Sequence, residues 1–244
     1  MGTASFACAN ESGLVLIESP ANDLYYAGIA YLQAPAYSFS ANQKSSYVPD
    51  VEMYRHEGFF LNSASGLGWN FASDNHWQYG VSLDPYKKWP VLKTEAESDN
   101  TISGNGLSTH DARYRIEGGP FLNIALWDGA WLLSSVKRHT QYGGEGITRL
   151  FGMAAGMPLG QACSLSIVSG GVFATPGRES AQTRAAKSGL QQRSNLLEFD
   201  WDVQPNWSFS LDLERERLLA HPAAALVLTP TASTTALTLS YRLH

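Results

Sequence analysis

The feature that most constrains this chain is a strict period-two alternation of apolar and polar residues, repeated in segment after segment. From His76 to Asp84, Trp77, Tyr79, Val81 and Leu83 fall on one face, against His76, Gln78, Gly80, Ser82 and Asp84 on the other. From Leu197 to Gln204, Leu197, Phe199, Trp201 and Val203 oppose Glu198, Asp200, Asp202 and Gln204. Past Pro205-Asn206 the rule resumes, with Trp207, Phe209, Leu211 and Leu213 against Ser208, Ser210, Asp212 and Glu214. The chain closes on Leu237, Leu239, Tyr241 and Leu243 against Thr238, Ser240 and Arg242. Successive side chains of a strand point to opposite faces, so the pattern dictates strands with one apolar and one polar side. Helical composition is confined to Ser180–Arg193, a polar stretch interrupted by Gly189.

Further strand candidates are Asp23–Gln33, Ser46–His56, Gly58–Ala72, Asp111–Leu126, Ala130–Gln141, Gly146–Leu159 and Ala162–Thr175. Many exceed the usual five or six residues and match the roughly 9 to 11 that cross a bilayer at a tilt. Short links at 72–75, 127–129, 158–161 and 205–206 alternate with long polar ones at Lys88–His110, Pro176–Arg193 and Leu218–Ser233. A Gly-rich link at Tyr142–Gly146 is shorter. Short periplasmic turns and longer extracellular loops are the signature of a closed antiparallel transmembrane β-barrel. The count is eleven strands, and bacterial barrels have even numbers. Ser12–Glu18 supplies a twelfth if it pairs with Asp23–Gln33; ten is the alternative. The whole chain, 1–244, reads as one all-β barrel domain, with 1–22 as an N-terminal segment that contributes the first strand.

Composition closes off other classes. Lys and Arg total 17 against 22 Asp and Glu, a net charge of −5, which gives no electrostatic case for nucleic acid. Charged residues are 16% and aromatics 11%, a membrane-like balance, yet the mean hydropathy is −0.18. The longest apolar run, Ala223–Leu228, is far short of the roughly 20 residues of a transmembrane helix. Met1–Asn10 has neither the basic nor the apolar region of a signal peptide, so if the protein is exported the sequence reads as a mature or re-engineered form. Cys8 and Cys163 lack metal-ligand spacing and read as a disulfide or as two small core residues.

If the apolar faces meet lipid, the polar faces line a lumen. Glu198, Asp200, Asp202, Asp212 and Glu214 then form an acidic wall, and Arg113, Arg115, Glu117 and Lys137 form a second charged group, with Arg138 and Arg149 adding positive charge. Two readings stay open. The charges select small polar solutes in a pore, as charge rings do, or they pair and pack a filled interior, as small barrels need. Trp69, Trp77, Trp127, Trp131, Trp201 and Trp207 lie near strand ends, as an interfacial girdle requires. Outer-membrane lipases use a rim Ser and His, but His76, His110, His139 and His221 have no serine in a nucleophile setting beyond Ser108 near His110. No enzyme, metal or cofactor is expected.

Several segments resemble a known family. Gly58-Phe59-Phe60-Leu61-Asn62 followed by Gly66-Leu67-Gly68-Trp69-Asn70 is similar to the "FF…GLGYNL" region of the MipA/OmpV family, the MltA-interacting outer-membrane proteins. Glu117-Gly118-Gly119-Pro120-Phe121, Gly143-Gly144-Glu145-Gly146 and Met157-Pro158-Leu159-Gly160, like the family's "LPLG" turn, add to the likeness. So do Ser180–Leu190, similar to "SAAQ…SGL", and the ending from Arg217 to Leu243, similar to "RLLGDAADSPIV…LGLSYRF". The aspartate-rich loop reads Ala220-His221-Pro222-Ala223-Ala224-Ala225 here, and His244 stands where a terminal Phe is usual. The resemblance implies location in the bacterial outer membrane, in contact with lipid. It also implies a non-enzymatic scaffold that brings a lytic transglycosylase together with a peptidoglycan synthase. Alternatives are a small-solute pore and a surface adhesin acting through the long loops.

Overall fold

A computed structural model describes residues 7–9, 14–17, 20–35, 42–63, 66–74, 76–84, 116–141, 144–175, 189–219 and 230–243. Two short strands, β1 (Ala7–Ala9) and β2 (Val15–Ile17), pair with each other. The barrel wall is β3 (Leu24–Pro35), β4 (Gln43–Tyr54), β5 (Phe59–Asn62), β6 (Gly66–Ser73), β7 (Trp77–Asp84), β8 (Ile116–Trp127), β9 (Ala130–Gln141), β10 (Gly144–Pro158), β11 (Cys163–Thr175), β12 (Gly189–Gln204), β13 (Trp207–Leu218) and β14 (Thr231–Leu243). Each pairs antiparallel with its sequence neighbour, and β14 pairs with β3 to close a barrel of twelve strands. Closure leaves no edge with unpaired backbone groups, the condition for crossing lipid.

The strand number agrees with the expectation of twelve, but two of the strands differ. Ser12–Glu18 does not join the wall: β2 pairs only with β1, and Leu14 and Leu16 are buried among inward-facing residues of β9 to β12. The twelfth wall strand comes from Gly58–Ala72, which folds as the hairpin β5–β6 rather than one strand. Its turn surrounds Ser63, and Gly66 after it takes φ 88°, a left-handed conformation that favours glycine. Splitting that segment also restores the alternation of links. The strand ends joined by the short turns at 55–58, 128–129, 159–162 and 205–206, together with those flanking 74–76, gather at one end of the barrel, and the strand ends that flank the remaining links lie at the other. β12 starts at Gly189, so the last part of the segment read as the loop Pro176–Arg193 is strand.

Alternation sorts the wall. On β7, Gln78, Gly80 and Ser82 are buried and Trp77, Tyr79, Val81 and Leu83 exposed. The exposed rows continue as Leu122, Ile124 and Leu126 on β8, Phe151 and Met153 on β10, and Leu197 and Trp201 on β12. A soluble protein would bury these rows; here they form the lipid-facing band.

Candidate functional site

The inward face divides into an apolar side and an acidic side. The apolar side is built by Trp131 and Leu133 of β9, Leu150 and Ala154 of β10, Val168 of β11 and Leu196 of β12. Leu14 and Leu16, 2% and 1% exposed, pack onto it, so the N-terminal hairpin fills part of the lumen. Burying two leucine side chains contributes about 3 to 6 kcal/mol to holding the hairpin there. Glycines make the room: a Cβ on Gly152 or Gly170 would lie 2.5 Å from Leu14 Cδ1. Toward the short-turn end Phe60 and Phe121 meet edge to face at 6.4 Å, with Tyr54 beside them, over inward-facing Gly68 and Gly80.

The acidic side spans β12, β13 and β4. Glu198, Asp200 and Asp202 share the inward phase of β12, and Asp212, Glu214 and Glu216 that of β13. Glu198 sits directly across from Asp212. Two carboxylates at opposed positions, about 5 Å apart, repel by about 1 kcal/mol in a water-like medium and about 3 kcal/mol at an effective dielectric of 20. Asp50 and Glu52 of β4 complete the belt. Neutral donors hold five of these groups. Ser63 Oγ and Ser240 Oγ donate to Asp50 at 2.6 and 2.9 Å, Tyr54 Oη to Glu52 at 3.0 Å, and Ser164 Oγ to Asp200 at 3.3 Å. Ser166 Oγ donates to Glu198 at 2.9 Å, and Gln192 Nε2 to Glu216. Lys137, fully buried, is paired with Asp84 of β7 and is the one buried base among the described residues. Buried Ser82, Ser135 and Ser194 hydroxyls and Asp212 Oδ1 have no protein partner among the described residues, so they need water.

Of the residues singled out from the sequence, Lys137, Glu198, Asp200, Asp212 and Glu214 lie inside, Glu117 is half-buried on the inward phase of β8, and Asp202 is exposed near the short-turn end. Arg113 and Arg115 lie outside the described residues. Arg138 and Arg149 are on the outer face, contrary to the inward placement expected of them. Trp69, Trp77, Trp127, Trp201 and Trp207 are exposed. Trp131 is a correction: it is 8% exposed and faces the lumen against the N-terminal leucines. Sequence reasoning missed Asp50, Glu52, Asp84 and Glu216, although Asp50 and Glu52 alternate with Pro49, Val51 and Met53, and Glu216 extends the phase of Asp212 and Glu214.

At the short-turn end Asp23 gathers the β4–β5 turn. Its carboxylate accepts from the His56 amide at 2.9 Å, contacts His56 Nδ1 at 2.6 Å, and pairs with Arg55 Nε at 3.4 Å. The His56 side-chain and backbone hydrogen bonds hold the Asp23 carboxyl well below the usual carboxylate range. Asp74 caps the next turn by accepting from the His76 and Trp77 amides, which lowers its pKa as well. Of the four histidines weighed as catalytic, His76 is exposed beside Asp74, and His110 and His221 lie outside the described residues. His139 lies on β9 opposite Gly146. No group of three potential metal ligands occurs among the described residues.

The family model described as "MltA-interacting protein MipA" matches residues 27–243. The chain belongs to that family. It is an outer-membrane β-barrel protein of bacteria. The "COG4313 outer membrane channel from Pseudomonas putida F1" superposes with a TM-score of 0.53 at 10% identity, covering 93% of this chain and 97% of that one. A NanC porin gives a TM-score of 0.44 at 6% identity, covering 91% and 100%. No curated protein sequence matches. For this family member the match ends at Leu243 and starts within β3, so it spans the barrel wall and leaves the lumen hairpin outside.

Proposed function

We propose that the barrel is a non-enzymatic, cation-preferring passage for small polar solutes, narrowed by its own N-terminal hairpin. The observation that carries this reading is the belt of inward carboxylates, several held by hydroxyl donors rather than by bases. A belt of one charge sign, enclosed by low-dielectric walls, concentrates counter-ions and favours cation entry. Planar-bilayer recording of the purified chain tests it: small cation-selective openings support the passage, and a silent bilayer with correctly folded protein rejects it.

A second reading is the scaffold, favoured by the family description. On that reading the protein holds a lytic transglycosylase of the MltA kind, together with a peptidoglycan synthase, at the inner surface of the outer membrane. The short-turn end is then the docking face, and the cluster of Asp23, Arg55, His56 and Glu57 is its best-tied surface. A standard interface needs about 800 Å² per partner, so several turns must act together. Co-purification from detergent extracts, with and without Arg55→Ala/His56→Ala, separates the readings. Recovery of murein enzymes that the double variant abolishes supports docking there.

A further inference from the structure

The outer face carries a second charge pattern, opposite in sign to the lumen. Along β13 the run Asp212-Leu213-Glu214-Arg215-Glu216-Arg217 sends its acids inward and Arg215 and Arg217 outward. On β12, Arg193 is outward and sits directly across from Arg217. Arg149 of β10 and Arg138 of β9 are outward too, diagonal to each other in their ladder. None of the outward positions of β12 or β13 is acidic, and among the described residues no carboxylate pairs with Arg193, Arg215 or Arg217. Like charges directly opposed on a ladder destabilise it unless a counter-charge lies between them.

Their height is informative. Below Arg215 the outward residues of β13 are Leu213, Leu211, Phe209 and Trp207. At about 3.3 Å per residue and a tilt of about 40°, Arg215 and Arg217 lie about 20 and 25 Å above Trp207 along the membrane normal. Arg193 stands about 25 Å above Val203 by the same reckoning. The outward apolar band of such barrels is about 25 Å tall. These arginines therefore sit at the headgroup level of the leaflet on the long-loop side, which is the outer leaflet. Guanidinium groups bind phosphate oxygens in a bidentate fashion.

We propose that Arg193, Arg215 and Arg217, extended by Arg149, bind the phosphate groups of a diphosphorylated glycolipid of the lipid A type in the outer leaflet. The acyl chains of the same lipid cover Leu213, Leu211 and Leu197 just below. Continuity of the basic cluster with the apolar band selects a lipid over a free anion, which would gain nothing from that band. The site is independent of what the lumen passes.

The test is native mass spectrometry of the full chain in detergent, with three probes: diphosphoryl lipid A, its monophosphoryl form, and inorganic phosphate. Retention of diphosphoryl lipid A at least tenfold above the monophosphoryl form is expected. The variant Arg193→Gln/Arg215→Gln/Arg217→Gln, checked for heat-modifiable migration, is expected to lose that retention tenfold or more. Equal retention of the two lipids, or a folded triple variant that binds as the parent does, overturns the proposal. Displacement of the lipid by an equal concentration of inorganic phosphate overturns it as well, reassigning the arginines to a free anion. Should the triple variant not fold, Arg217→Gln alone and the two-lipid comparison on the unmodified chain decide the matter.

Discussion

At the scale of single residues, Gly170 is the most consequential small position in the lumen. A Cβ there would meet Leu14 Cδ1 at 2.5 Å, while the nearest backbone atom, Phe151 O, is 3.3 Å away. The wall can yield by a few tenths of an ångström, Leu14 Cδ1 must move, and the two further methyl groups of a valine add to that displacement. Gly170→Val is therefore expected to expel the hairpin and leave the barrel folded. Cleavage at Glu18 by a glutamate-specific protease should speed up at least tenfold, with heat-modifiable migration unchanged; unchanged cleavage would mean that Leu14 does not depend on this gap. Asp23 offers a pH test. Its lowered pKa means that its contribution to the β4–β5 turn is present in full above the ordinary carboxylate range and is lost as pH falls through the lowered value. Hydrogen-exchange protection of the His56 amide, a direct donor to Asp23, should survive acidification through about pH 4 and fail only in stronger acid. Asp23→Asn should reduce that protection at neutral pH and flatten its pH dependence.

Single residues also show where the sequence was readable. The inward phase of Glu198, Asp200, Asp212 and Glu214 could be read because each alternates with a lipid-facing apolar residue. Trp131 could not be. In Ala130-Trp131-Leu132-Leu133 both faces are apolar, since one meets lipid and the other meets Leu14 and Leu16. Alternation loses its meaning wherever a plug makes the lumen apolar. Arg138 and Arg149 show the opposite limit: charge alone does not mark the interior, because an outward residue at headgroup height can be basic.

At the scale of elements, the N-terminal hairpin and β5–β6 carry the lesson. Leu14-Val15-Leu16-Ile17 is apolar and β-branched enough to be a wall strand, and the missing twelfth strand made that assignment natural. Its destination depends on contacts with β9 to β12, which lie more than a hundred residues along the chain and leave no local trace. The extra strand instead hid in a polar turn around Ser63, between two apolar runs too short to be recognised separately. The hairpin is an added element on a complete barrel, so its removal is expected to be tolerated. Deleting residues 1–19 should leave a heat-modifiable barrel with a conductance raised several-fold. Loss of folding on deletion would show that β1 and β2 are part of the fold's stability rather than a stopper.

At the scale of the whole molecule, charge among the described residues is sorted by face: a belt of carboxylates on β4, β12 and β13 faces the lumen, and Arg138, Arg149, Arg193, Arg215 and Arg217 lie on the outer face of β9, β10, β12 and β13. That division makes a net charge of −5 a poor guide to either face. Asp200→Asn/Asp212→Asn/Glu214→Gln should move ion selectivity toward zero while the barrel stays folded. Selectivity that is unchanged in this variant would place the selecting charges elsewhere. The most direct measurement is the reversal potential of planar bilayers under a potassium chloride gradient, recorded for the full chain and for the chain lacking residues 1–19. A cation-selective potential in both, with larger openings after the deletion, is the expected result. Anion selectivity, or silence from both folded forms, would contradict the acid-lined passage.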